Sequence, residues 1–444
     1  MNSPKRNELA IRRLWNAKFG GDLSAVGMKV LDREGARARN DGKRIGTRVM
    51  SAEMNDKNES GGRIMKIKSV DLLVTVMAGN WLTERVIANP MSIYPQYAER
   101  RSSWYRTQSA GVVVVTVDDG TVGYGFVGGA KASACIAMLN EQVRDLIVGK
   151  SCFDTELVSE QIYRATIMYG QGGAAACLAS GIDIALWDLK GKLLGRPVYD
   201  LLGGRTQEAL RPYLTSWDAE LLEKYGIRDV KVAMPFGPGA GEEGKRANER
   251  LVASTREAIG PDGFIALDCY MAWDVPYTIE MARRLKDYGI HWIEEPVMPE
   301  QVLSYRRIVD SVDCMVTGGE HSYTLESLRR LIVDGGVDIV QPDIYRAGGP
   351  TVLKKVAALA KAYGRQLICH GVGLPTYHFM ISNGPDVSPR CEFLDIYAGS
   401  DAGWVLNDEP APIGGVLEVS DAPGFGYTLN ERVFAEHLPV SPIW

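Results

Sequence analysis

The sequence predicts an α/β protein in which a small α+β domain precedes a parallel-stranded barrel of the TIM type, and three observations carry the prediction. After Pro212, seven short apolar runs alternate with amphipathic helical stretches, the texture of strand, crossover helix and strand. Six of these runs carry an acidic residue, a histidine or both near the C-terminal end. An open sheet would concentrate such groups at one switch point, whereas a barrel gathers them round its mouth. Finally, 444 residues are too many for one core, which seldom grows past about 250–300 residues.

Residues 1–64 mix Arg, Asn, Gly, Ser and charge without a sustained period, as a disordered extension does. They hold 14 Lys and Arg against 8 Asp and Glu, while the remainder holds 36 against 47. A basic tail therefore precedes an acidic body. Glu8, Asp22, Asp32 and Glu34, and the lack of an apolar segment, weigh against a targeting peptide. An acidic body disfavours nucleic acid as the main partner, and no apolar run approaches the length of a membrane span. A small-molecule partner is expected. Seven scattered cysteines, none in a C-x-x-C pair, suit reduced thiols in a cytoplasmic protein without disulfides or a zinc knuckle.

From Met65, "MKIKSVDLLVTVM" reads as a strand. "AGVVVVTVDDGTVGYGF" reads as a hairpin turning at Asp119-Gly120, between β-branched runs. Helical patterns follow from Lys131. The clearest is "AACLASGIDIALWDLKGKLLG", where Ile182, Ala185, Leu186 and Leu189 share a face and Gly195 with Pro197 ends the helix. "YGQGGAA" formally fits a dinucleotide fingerprint, but Gly170 follows a helical stretch instead of the strand that motif requires. The barrel runs are "RDVKVAM", "FIALDCY", "HWIEEPV", "CMVTGGEH", "VDIVQPDI", "QLICHGVG" and "CEFLDIY".

Asp268, Glu294 and Glu320 end three successive runs at intervals of 26 residues, one strand-helix repeat. Any one of them could be a helix cap or half of a surface ion pair. Three in register at a barrel mouth make a divalent-cation site, and all-oxygen donors select Mg²⁺. His370 and Asp343 end adjacent runs 27 residues apart. A lone histidine is more often structural than catalytic, but an Asp partner that orients it beside a metal mouth marks His370 as a general base. Glu392, on the last run, could donate a hydrogen bond to substrate if its surroundings keep it protonated, or else pair with Arg390. His321 and Glu295 each neighbour a proposed ligand in sequence. Since adjacent strand side chains alternate, both are expected to support the site without ligating the ion.

The motifs "ANPMSIY", "GIDIALWDLKGKLLGRPVYDLLGG", "LDCYMAWDV", "WIEEPVMPE", "VTGGEH", "QPDIYRAGG", "HGVGLPTYH" and "DAPGFGYTLN" resemble the enolase superfamily from about residue 65 to the C-terminus. Within it they are most similar to the mandelate racemase-like acid-sugar dehydratases that act on L-rhamnonate. The resemblance implies a modified (β/α)7β barrel over residues 210–404, under a capping domain formed by residues 65–209 and completed by 405–444. It puts one Mg²⁺ per subunit on Asp268, Glu294 and Glu320, the base on His370, its partner on Asp343, and substrate contacts on Glu392 and Arg101. A first-loop histidine usual in that branch is replaced here by the "GNWL" segment, with Asn80 the nearest match. Two-lysine racemases of the superfamily carry K-x-K where this chain has Lys231 and Ala233, leaving Lys231 as a single substrate-contacting lysine. The resemblance also implies a symmetric homo-oligomer, with an octamer the expected form.

The activity so implied is hydro-lyase chemistry on an aldonate. His370 takes the C2 proton and then, as imidazolium, protonates the departing C3 hydroxyl, yielding a 2-keto-3-deoxy acid. L-rhamnonate is the leading substrate and L-lyxonate a related alternative. A racemase or epimerase would need a second base opposite His370. A silent barrel with a binding or structural role is the rival from outside enzymology.

Overall fold

Two sheets organise the chain in the computed structural model, which describes residues 65–77, 86–98, 108–129, 132–216, 218–395 and 405–432. The expected extension over 1–64, and the candidates Asn80 and Arg101, lie outside the described residues. Both sheets belong to one compact unit, Arg63–Trp444.

The first sheet is antiparallel, built from β1 (Ile67–Met77), β2 (Gln108–Val117) and β3 (Val122–Val127). Leu72 pairs with Val113 and Val70 with Val115, and β3 alternates half-buried with buried residues along its length, the period of a sheet with one face in a core. The turn forms where the sequence predicts it, with the Asp119 carboxylate accepting from the Thr121 N–H at 2.9 Å.

Helices α1 (Ala132–Met138), α2 (Arg144–Ile147), α3 (Thr155–Ala165) and α4 (Ala174–Leu194) follow. α4 is apolar nearly all round, and 15 of its 21 residues are buried, because it lies between the first sheet and the barrel helix Gly349–Ala362. Gly125 permits the approach on one side: a Cβ there would sit 1.9 Å from the Gly181 carbonyl oxygen of α4. On the other side Asp183 accepts from the Thr351 N–H and hydroxyl at 2.9 and 2.7 Å, and the Trp187 indole donates to that hydroxyl at 2.9 Å. The helix stops at Gly195, left-handed at φ 64°.

The second sheet has eight strands, all parallel: β4 (Pro212–Leu214), β5 (Val230–Ala233), β6 (Ile265–Asp268), β7 (Ile290–Glu294), β8 (Met315–Gly318), β9 (Ile339–Val340), β10 (Gln366–Leu367) and β11 (Cys391–Phe393). Consecutive strands pair in order from β4 through β10, and β11 lies beside β4, Glu392 facing Tyr213. Strand order thus runs from β10 at one edge, through β4, to β11 at the other, a curled all-parallel sheet of the barrel type. Seven helices alternate with these strands. β4 is the one strand of this sheet outside the seven runs of the sequence prediction.

The segment 405–432 runs back across both parts. Leu417 bridges to Leu210 and Gly424 to Pro197. The Phe425 N–H donates to Asp188 of α4 at 3.0 Å, and the Tyr427 hydroxyl to the Tyr124 carbonyl of β3 at 2.5 Å. Among the described residues no helix is long and apolar enough to cross a membrane.

Candidate active site

Parallel pairing in register puts the chemistry at one rim. Ala233 pairs with Asp268, Asp268 with Glu294, and Asp343 bridges to His370 beyond the ends of β9 and β10. Asp268 and Glu294 are thus strand neighbours, and Glu320 stands two residues past the end of β8. The side chains of Glu294 and Glu392 are 1% exposed and that of Glu320 is 5% exposed, so their charges interact through protein more than through water.

Lys231 lies between two of these acids, its ammonium 2.8 Å from Glu294 Oε1 and 2.8 Å from Glu392 Oε1. It is 1% exposed and paired with both glutamates. The Trp292 indole donates to Glu294 Oε2 at 3.2 Å. Burial pushes Glu294 up to about 8 and Asp268 up to about 6, with neighbouring carboxylates adding to the rise and Lys231 opposing it.

Glu392 lies among groups that favour its charged form. Burial opposes its ionisation, yet Lys231 and His370 bring it down to about 2. Its oxygens accept from the Thr215 hydroxyl at 2.5 Å and the Gly371 N–H at 2.8 Å. Arg390 pairs with Asp229.

His370 and Asp343 meet as the spacing predicts, Nδ1 to Oδ2 at 2.8 Å. Asp343 is itself oriented by the Tyr345 N–H, 2.7 Å from Oδ1. The other imidazole nitrogen is 3.1 Å from Glu320 Oε2. Burial disfavours the charged ring, but Glu320 and Glu392 raise it to about 9. Glu320 in turn is held well below the usual carboxylate range by His370, His321 and Arg346, against the effect of burial.

Glu295 and His321 form a unit under Glu320. Glu295 Oε2 is 2.6 Å from His321 Nδ1, and its Oε1 accepts from the N–H groups of His321 and Gly319 at 3.2 and 3.3 Å. The backbone at Glu295 is left-handed, φ 40°, as it is at Tyr270 and Met271, φ 44° and 60°. Non-glycine residues seldom adopt this conformation, and it turns Glu295 away from strand alternation toward the 319–321 turn.

Among the described residues one group has its possible ligand atoms gathered closely, and the three carboxylates expected from the sequence are a second, strand-end set. Glu295, Glu320 and His321 have ligand atoms within 4.8 Å of one another, but Glu295 is already satisfied by His321 and two backbone N–H groups. Asp268, Glu294 and Glu320 offer three carboxylates on or just past successive strand ends, and Asp268 and Glu294 are raised first by burial and then by their neighbouring carboxylates. Three carboxylates are the all-oxygen donor set a hard divalent cation prefers, and its charge would offset theirs.

Sequence reasoning overlooked Arg346. It stands three residues after Asp343 inside the quoted "QPDIYRAGG", so its spacing was the available signal. Its Nη1 is 3.2 Å from Glu320 Oε1, and its Nε is 2.9 Å from Asp343 Oδ2.

Residues 216–433 match the family model described as Enolase C-terminal domain-like, and residues 88–203 match the mandelate racemase / muconate lactonizing enzyme N-terminal domain. An L-rhamnonate dehydratase of Saccharopolyspora erythraea is 35% identical over 387 residues, 83% of this chain and 98% of the relative. The crystal structure of L-rhamnonate dehydratase from Gibberella zeae superposes with a TM-score of 0.79 at 36% identity, covering 85% of this chain and 97% of that one. A second structure of rhamnonate dehydratase from Gibberella zeae, complexed with Mg, gives 0.77 at 35%, covering 85% and 97%.

Proposed function

The chain belongs to the mandelate racemase / muconate lactonizing enzyme family of the enolase superfamily, and we propose that it is a Mg²⁺-dependent hydro-lyase that dehydrates L-rhamnonate to its 2-keto-3-deoxy acid. The observation that carries this is the His370–Asp343 pair standing at the same rim as Asp268, Glu294 and Glu320. The 35% identity to a rhamnonate dehydratase along nearly that protein's whole length supports the choice of substrate.

Asp268, Glu294 and Glu320 would hold the cation. Mg²⁺ there supplies Lewis-acid polarisation of the substrate carboxylate, which acidifies the C2–H. Lys231 fixes Glu294 from behind, so this carboxylate does not swing away when the mouth is empty. His370 carries out the proton transfers. Asp343 holds its Nδ1–H, so that Nε2, once Glu320 is engaged elsewhere, is the acceptor for the C2 proton. The same nitrogen then delivers a proton to the C3 hydroxyl as it leaves. Glu392, held anionic by Lys231 and Thr215, accepts hydrogen bonds from substrate hydroxyls. Asn80 and Arg101 remain proposed contacts on the cap side.

The test is a panel of six-carbon and five-carbon aldonates with Mg²⁺, scored for 2-keto-3-deoxy products. L-rhamnonate is expected to turn over fastest. Turnover of L-lyxonate or another acid in its place would move the substrate, and C2 proton exchange without product would mark a racemase or epimerase instead.

A further inference from the structure

Around His370 the contacts close into a ring. Each imidazole nitrogen faces a carboxylate, Nδ1 facing Asp343 at 2.8 Å and Nε2 facing Glu320 at 3.1 Å. Both carboxylates then share one guanidinium, because Arg346 Nε is 2.9 Å from Asp343 Oδ2 and Nη1 is 3.2 Å from Glu320 Oε1. Nη1 also lies 3.4 Å from the Glu320 carbonyl oxygen. The Nε contact is ionic, with its N–H not aimed at the carboxylate. The ring joins groups that follow three neighbouring strands, β8, β9 and β10. Arg346 sits in the turn after β9, where its N–H and that of Ala347 both return to the Asp343 carbonyl at 3.0 and 2.9 Å.

The capping part reaches the same guanidinium. Just past the end of β3, a Cβ on Gly129 would lie 2.9 Å from Arg346 Nε, and one on Gly128 would lie 3.0 Å from Tyr345 Cβ. Gly129 is also left-handed, φ 74°. The tip of the first sheet therefore rests on Arg346 without a side chain between them.

We propose that Arg346 is a positioning residue: it locks Asp343 and Glu320 at a fixed separation, so that the imidazole of His370 is held in one plane, and it ties that plane to the seating of the first sheet. This rests on His370 acting as the base. A planar fork can brace two carboxylates at once, whereas an ammonium is a point charge that reaches one of them well. Arg346 is not required to touch substrate for this role, so its loss should spare binding and impair turnover.

The experiment compares the parent with Arg346→Gln and Arg346→Lys, with Mg²⁺ present, by steady-state kinetics on the aldonate that the parent dehydrates and by crystal structures. Arg346→Gln is expected to lower kcat by about 10–100-fold, the range seen when a supporting partner of a metal-site group is removed, with KM changed by less than about 3-fold. Arg346→Lys should fall between the two. In the Gln crystal structure the His370 to Asp343 contact, 2.8 Å here, should open beyond hydrogen-bond range. If the Gln protein does not fold, the Lys protein decides: kcat equal to the parent overturns the proposal, and a lowered kcat at unchanged KM supports it. Parental kcat in the Gln protein, or a loss seen wholly in KM, likewise overturns it. Should the parent dehydrate no sugar acid, the dehydratase assignment fails by itself. The crystal structures still judge Arg346, because ring geometry needs no turnover: an unmoved His370 overturns the proposal, and a displaced one supports it.

Discussion

Replacing Lys231 with methionine removes an ammonium that stands 2.8 Å from both Glu294 and Glu392 and is 1% exposed. Methionine has nearly the stem volume of lysine, so packing is largely kept and the charge is the variable. Breaking a buried pair by deleting one partner costs about 3–5 kcal/mol. Proton uptake by the stranded carboxylate caps that cost. A carboxyl with an unfolded pKa near 4.3 takes about 5 kcal/mol to neutralise at pH 8 and about 1 kcal/mol at pH 5, at about 1.4 kcal/mol per pH unit. Without Lys231 the folded-state pKa of Glu392 rises above its unfolded value. Its contribution to stability is then present at low pH and lost as pH rises through the new folded value. The expected destabilisation is therefore about 3–5 kcal/mol at pH 8 and about 1 kcal/mol at pH 5, read from urea midpoints in EDTA. A loss below about 1 kcal/mol at pH 8, or equal losses at both pH values, would refute the idea that this ammonium neutralises the two acids.

The remaining predictions address the base, the cation, the cap and one buried acid. His370→Asn should abolish turnover while Mg²⁺ titration by calorimetry stays near parental, whereas Glu294→Gln, or EDTA treatment of the parent, should remove activity through lost cation binding. Gly125→Ala places a Cβ 1.9 Å from the Gly181 carbonyl oxygen; overpacking of this kind costs about 1–3 kcal/mol or more, so an unchanged urea midpoint would contradict the close approach of β3 to α4. Burial raises Asp183 to about 7, against the Thr351 hydrogen bonds. A raised folded pKa gives stability that is full below about pH 4 and lost as pH rises through about 7, so the parent should lose stability relative to Asp183→Asn across that interval, as followed by urea melts.

The sequence by itself determined the fold class and the spacing of the site. In a parallel barrel one strand and one helix take about 26 residues, so Asp268, Glu294 and Glu320 announced neighbouring strand ends by their intervals, as did Asp343 and His370. The Asp119-Gly120 turn and the helix stop at Gly195 were equally plain, because local backbone chemistry decides them.

Tertiary structure decided what each side chain does once it arrives. Spacing reports which strand end a residue occupies. It cannot report direction beyond the strand, where left-handed backbone at Tyr270, Met271 and Glu295 breaks the alternation that sequence reasoning relies on. The pairing of Lys231 with two glutamates was not legible in its motif, because the fold brings Glu294 to it from 63 residues away in sequence and Glu392 from β11, on the far side of β4. Arg346 was passed over because an arginine in a turn is ordinary until two carboxylates and a glycine tip from another sheet converge on it. Those convergences join residues remote in the chain, and pairwise electrostatics in a buried site depend on distances that only the folded sheet sets.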